Sequence, residues 1–160
     1  MMRSTMKVLL LASLAAALAA PAASADYRAG ALNIQNPWTR PASAGGNAAG
    51  YLVINNHGGA DVLTGVETSF AKASLHRSAM ADGMATMRAM DQGLPVPAGQ
   101  TTVLRPGGDH IMLAGLTRPL TQGQKIPATL VFQRAGRVKI EISVETAPPT
   151  AQKAANNNRN

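Results

Sequence analysis

Short runs in which apolar and polar residues alternate with a period of two recur along most of the chain. They are separated by Gly, Pro, Asn and Asp, the pattern of strands with one buried face. The clearest run is "RVKIEISVE", where Val138, Ile140, Ile142 and Val144 alternate with Lys139, Glu141, Ser143 and Glu145. "IPATLVFQ" and the turn "RAG" precede it and complete a hairpin. Further strands are expected in "ALNIQ", "AGYLVINN", "DVLTGVE", "FAKASLH", "TTVLRP" and "HIMLAGL", joined by turn material such as "NPWTRPASAGG", "NHGGAD" and "PGG". Many short strands at close spacing indicate an all-β sandwich or barrel.

The two ends break this pattern. Residues 1–25 open with Arg3 and Lys7, continue through the apolar run Val8 to Ala20 and end in "ASA", the build of a cleavable secretory signal cut between Ala25 and Asp26. As a membrane anchor the run is too short, since a span needs about 20 apolar residues and Pro21 ends this one. Residues 147–160, "APPTAQKAANNNRN", lack periodicity and large apolar side chains and read as a disordered polar tail. One domain is therefore expected over residues 26–146, exported to the periplasm and not inserted in the membrane.

Composition narrows the chemistry. Export would permit disulfides, yet the chain has no cysteine, so burial has to hold the fold and thiolate chemistry is excluded. Without Arg3 and Lys7, thirteen basic residues face eight acidic ones, a net charge of +5. The charges are scattered and aromatic residues few, which argues against a nucleic-acid role and fits a basic surface that docks acidic partners.

The chain's other irregularity is "SLHRSAMADGMATMRAM", which carries His76 and four methionines. His76, Met80, Met84 and Met87 fall at helical steps, and a Met stripe at that spacing is usually core. Asp82-Gly83 argues against the helix, because it is a strong two-residue hairpin signal and Gly inside a helix costs about 1 kcal/mol relative to Ala. With those two residues as the loop, Ser78 opposes Met87 and His76 opposes Ala89. His76, Met80 and Met87 then share one face, while Met84 and Met90 take the other. A three-residue loop would shift the register by one and undo this arrangement.

In "GGDHIML", His110 and Met112 stand two apart and project to one face of a strand. Two pairs of one imidazole and one thioether each would make a His2Met2 set, although a lone buried His can equally be a satisfied core residue. Thioether sulfur is soft and selects Cu(I), whereas zinc draws on Cys, His and carboxylate, and calcium or magnesium on oxygen. Lacking cysteine, the chain cannot build a blue-copper electron-transfer centre. Asp109 and Arg88 stand beside the candidate ligands as possible supporting groups or as plain surface. His57 sits in turn material and reads as a surface residue.

From "NPWTRPASAGGNAAGYLVINNHGGADVLTGVETSFAKASLH" through "MR" and "LPVPAG" to "LRPGGDHIMLAGLTRPLTQGQKIPATLVFQRAG", the chain resembles the periplasmic PCuAC copper chaperones. The family's motif is a His, a Met after ten residues and a distant His-x-Met, here His76, Met87, His110 and Met112. The resemblance implies a cupredoxin-like Greek-key β-sandwich that binds Cu(I) and delivers it to cytochrome c oxidase, to the CuA subunit or a thiol-bearing assembly factor. It also implies that Trp38 is structural and that Met80 and Met84 are hydrophobic neighbours or auxiliary sulfurs. Two departures stand out: 22 residues separate Met87 from His110 where the family has 21, and the tail lacks the His- and Met-rich extension that some members carry. Copper buffering without a dedicated acceptor and a metal-free β-sandwich interaction module are the alternatives. No enzyme is expected, since no nucleophile motif and no oxygen-rich metal site is present.

Overall fold

The computed structural model describes residues 26–149; the expected signal at 1–25 and residues 150–160 of the tail lie outside them. Among the described residues there are eleven strands and no helix. In chain order these are β1 (Asp26–Ala29), β2 (Leu32–Thr39), β3 (Ala48–Asn56), β4 (Asp61–Glu67), β5 (Lys72–Ala81), β6 (Met84–Ala89), β7 (Leu94–Val96), β8 (Thr101–Leu104), β9 (Asp109–Ala114), β10 (Lys125–Phe132) and β11 (Gly136–Val144).

The strands form one hydrogen-bonded path, β6-β5-β9-β3-β2-β11-β10-β4-β7, with β1 added to β2 and β8 to β3. Its shortest join is between β2 and β11, which run parallel over only two residue pairs, Ser143 with Trp38 and Val144 with Thr39. Either side of that seam the ladders are antiparallel. The two halves fold over a shared core: Ile34, Leu52 and Ile111 from one half lie in the same hydrophobic cluster as Leu63, Leu130 and Ile140 from the other. This is the all-β architecture that the alternating pattern predicts, and β11 shows why, with its apolar residues buried and the interleaved Lys139 and Glu141 exposed.

Two local features depart from the sequence expectation. The stretch beginning "NPWTR" reads as turn material, but Asn36 to Thr39 continue β2. Asn36 adopts a positive φ of 49°, and the pairing with β3 slips by one residue between Gln35 and Trp38. That bulge absorbs Pro37, which lacks the N–H an unbroken ladder would need. The short strands β1 and β7 lie outside the alternating runs of the sequence, and each pairs with a single neighbour.

A buried carboxylate ties down the end of the second half. Asp61 accepts hydrogen bonds from the backbone N–H groups of Val62, Arg134 and Ala135 at 2.8–2.9 Å. Burial alone would raise its pKa; the three N–H donors, with help from the Arg134 charge, outweigh that and hold it below the usual carboxylate value.

Candidate metal site

The hairpin of β5 and β6 has the register that a two-residue Asp82-Gly83 loop requires. Ala81 pairs with Met84, Ser78 with Met87 and His76 with Ala89. Both loop residues have positive φ, 52° and 77°, the signature of the type I′ turn whose twist matches that of paired strands. Met80 and Met87 therefore project on the His76 face, and Met84 projects on the other. Met90, also turned away, packs against the core.

What the sequence could not supply is the neighbour on the far side. β5 lies between β6 and β9, and there His76 pairs directly with His110, and Ser74 with Met112. His76, Met87, His110 and Met112 thus occupy one face of three adjacent strands. The two imidazole centroids are 6.0 Å apart with planes tilted by 52°. Metal–imidazole bonds of ~2.0 Å allow two rings at that separation to share one ion.

Each ring has one nitrogen engaged. Nδ1 of His110 lies 3.0 Å from the Gly108 carbonyl oxygen, which can only accept, so Nδ1 carries the proton and Nε2 keeps a lone pair. Nε2 of His76 is 3.2 Å from Ser74 Oγ, while its Nδ1 is buried with no hydrogen-bond partner. With Nε2–H donating to Ser74, Nδ1 of His76 presents a lone pair as well. A buried, unpartnered ring nitrogen is unfavourable in an apolar setting, and a metal ion would satisfy it.

Among the described residues no three His, Cys, Asp or Glu side chains gather where they could hold a metal. Donors beyond the two imidazoles must come from other atom types, and the thioethers of Met87 and Met112 share their face. Asp109 is not turned toward this site. It pairs with Arg77 across the same two strands on the reverse face, through contacts of 2.6 and 2.9 Å that brace the His76–His110 register from behind. Arg88 is exposed, also on the reverse face, and His57 is exposed in its turn.

The site is graded in exposure. His110 is 5% exposed, His76 and Met112 are half-buried, and Met87 is 55% exposed on the edge strand β6. Trp38 is buried, as expected of a structural residue, but it lies outside the main core cluster. It packs against its cross-strand partner Tyr51 with ring centroids 5.0 Å apart and planes tilted by 42°, and Tyr51 shares a β3 face with Ala49, the partner of Met112. Burial pushes the Tyr51 phenol above its usual pKa against the opposing pull of Arg40. It stays protonated at neutral pH and adds no anionic oxygen to that face.

The all-β fold matches that of PCuAC domains. The sequence profile of the LpqE-like family matches residues 32–144, and the chain belongs to this PCuAC-type family. A relative from Leifsonia xyli subsp. xyli, "Putative lipoprotein Lxx21020", is 35% identical over 129 residues, covering 80% of this chain and 78% of its own. Among solved structures, the apo PCuAC domain of PmoF1 superposes with a TM-score of 0.65 at 29% identity, over 77% of this chain and all of that domain. The copper-bound PCuAC domain of PmoF2 gives 0.65 at 27% identity, over 77% of this chain and 99% of that one. The Cu(I) form of DR1885 from Deinococcus radiodurans gives 0.53 at 27% identity, over 69% and 76% respectively.

Proposed function

We propose that this protein is a periplasmic Cu(I) metallochaperone that binds the ion through His76, Met87, His110 and Met112. The observation that carries the reading is the direct cross-strand pairing of His76 with His110, with a methionine beside each on the same face. Two neutral imidazoles and two thioethers form a soft, uncharged donor set suited to a monovalent ion. Similarity to a copper-bound PCuAC domain and to Cu(I)-DR1885 supports the choice of metal.

Copper is cargo in this reading, and no catalytic role is assigned. The partly exposed side at Met87 suits release by ligand exchange, while the buried His110 holds the ion from below. The acceptor we propose is the respiratory cytochrome c oxidase, through its CuA subunit or a thiol-bearing assembly factor; the net positive charge suits an acidic docking surface. Membership of the LpqE-like family and the lipoprotein relative support an exported, cell-envelope protein.

X-ray absorption on the Cu(I)-loaded chain tests the site. Sulfur scattering that declines in Met87→Ala and in Met112→Ala supports it, and an unchanged first shell in both sinks it. Transfer of Cu(I) to an isolated CuA domain, with loss of oxidase activity in a deletion strain, separates delivery from buffering. Acidification is expected to weaken binding, because imidazole ligates only when unprotonated; an affinity flat across the acid range would remove histidine from the site.

A further inference from the structure

We infer that Met80 is a transfer thioether: a sulfur outside the resident ligand set that takes Cu(I) transiently on its way into and out of the site. This rests on the proposed Cu(I) site and deepens it. Among the described residues, the exposed large hydrophobic side chains are Met80 at 72%, Met84 at 69% and Met87 at 55%, all on one hairpin. Their exposure has no packing explanation, since every residue of β6 and the last three of β5 are exposed. The register then separates them by function.

Met80 pairs with Ala85, so it is the diagonal neighbour of Met87 on the face that carries His76. Diagonal neighbours lie roughly 7–8 Å apart, within the combined reach of two long side chains. Methionine has three rotatable bonds, which lets its sulfur swing between solvent and a neighbouring ion. Met84 projects on the opposite face and cannot reach that ion without unzipping the hairpin.

Access comes from one side. His110 closes the inner end of the site, and exposure rises through His76 to Met87 and then Met80. An ion that leaves this way moves toward the hairpin tip. Exchange proceeds by forming a Cu–S bond to Met80 as a bond to an inner ligand breaks; copper stays monovalent throughout, so no electron or proton donor is required. The inner ligands set the affinity, and Met80 sets how fast the ion crosses the boundary between site and solvent.

Met80→Leu keeps the size and apolar character of the side chain and removes the sulfur from an exposed position, so folding is not at stake. Cu(I) affinity is measured on the purified chain by equilibrium competition with the chelator bicinchoninate, and release by stopped-flow transfer to the same chelator. Met80→Leu is expected to leave the affinity unchanged and to slow release and loading on the order of tenfold, about 1.4 kcal/mol of barrier. Met84→Leu serves as the control from the other face and should change neither. Unchanged rates in Met80→Leu overturn the inference; so does a loss of equilibrium affinity matching that of Met87→Leu, which would make Met80 a resident ligand. Failure of the underlying site has a different signature, namely unchanged affinity in Met87→Leu and Met112→Leu.

Discussion

The β10–β11 and β5–β6 hairpins are both antiparallel ladders closed by short turns, yet they treat their side chains in opposite ways. In β11 alternate residues from Val138 to Val144 are buried, and β10 does the same with Ile126, Ala128, Leu130 and Phe132. The exposed side of that hairpin is laced to β4 by the Arg137–Glu67 ion pair. In the other hairpin β6 buries nothing, and its partner is exposed over its last three residues. Stability therefore explains the residues of the first hairpin and leaves those of the second unexplained. Three methionines in full view of solvent point to chemistry rather than packing.

Substitutions can break this contrast. The largest effect is expected for Ile140→Ala, which empties a core position and should lower unfolding free energy by about 2–5 kcal/mol in urea titrations, with Cu(I) stoichiometry unchanged while the chain remains folded. Asp61→Ala should follow at about 3 kcal/mol, because it strands backbone N–H groups that the carboxylate satisfies. The same residue sets a pH signature. A carboxylate with a folded-state pKa below its unfolded value stabilises fully above the unfolded pKa, and that stability is lost as pH falls through the folded one. Asp61→Asn should thus flatten the acid limb of the stability profile; an unaltered limb would show that this carboxylate contributes nothing there.

Met87→Leu reverses the pattern of Ile140→Ala. Its unfolding free energy should stay within about 0.5 kcal/mol of the parent. Its Cu(I) affinity should fall by roughly tenfold or more, the size of effect that even supporting residues have at metal sites. If Met87→Leu destabilised the fold as Ile140→Ala does, the β5–β6 hairpin would be structural and the contrast would collapse. The smallest effect is expected for Gly83→Ala. No atom crowds a Cβ there, so the penalty is the left-handed backbone alone, about 1 kcal/mol by thermal unfolding.

How far the sequence could be read follows the same division. Strands such as β10 and β11 are legible because alternation records a buried face directly, and the β5–β6 register is legible because Asp-Gly specifies a two-residue loop. The continuation of β2 through Pro37 was not, because it depends on a bulge that only the paired β3 stabilises. Strands β1 and β7 have four and three residues, too few for a period to register. For the site, spacing placed His76 with Met87 and His110 with Met112. That β5 and β9 are neighbours is a long-range fact of topology, and so are the burial of His110 and the unpartnered Nδ1 of His76.

The Asp82-Gly83 turn bears on how such chains are to be recognised. All ten residues between His76 and Met87 lie in the ladder or its loop, so adding or removing one would throw Met87 to the far side of the sheet. The 22 residues between Met87 and His110 cross two short strands and their connections, where an extra residue is absorbed without moving either end. The first interval behaves as a ruler and the second as a slack cord. A pattern search across genomes should hold the first at ten and let the second float; members with longer slack would then surface alongside this one.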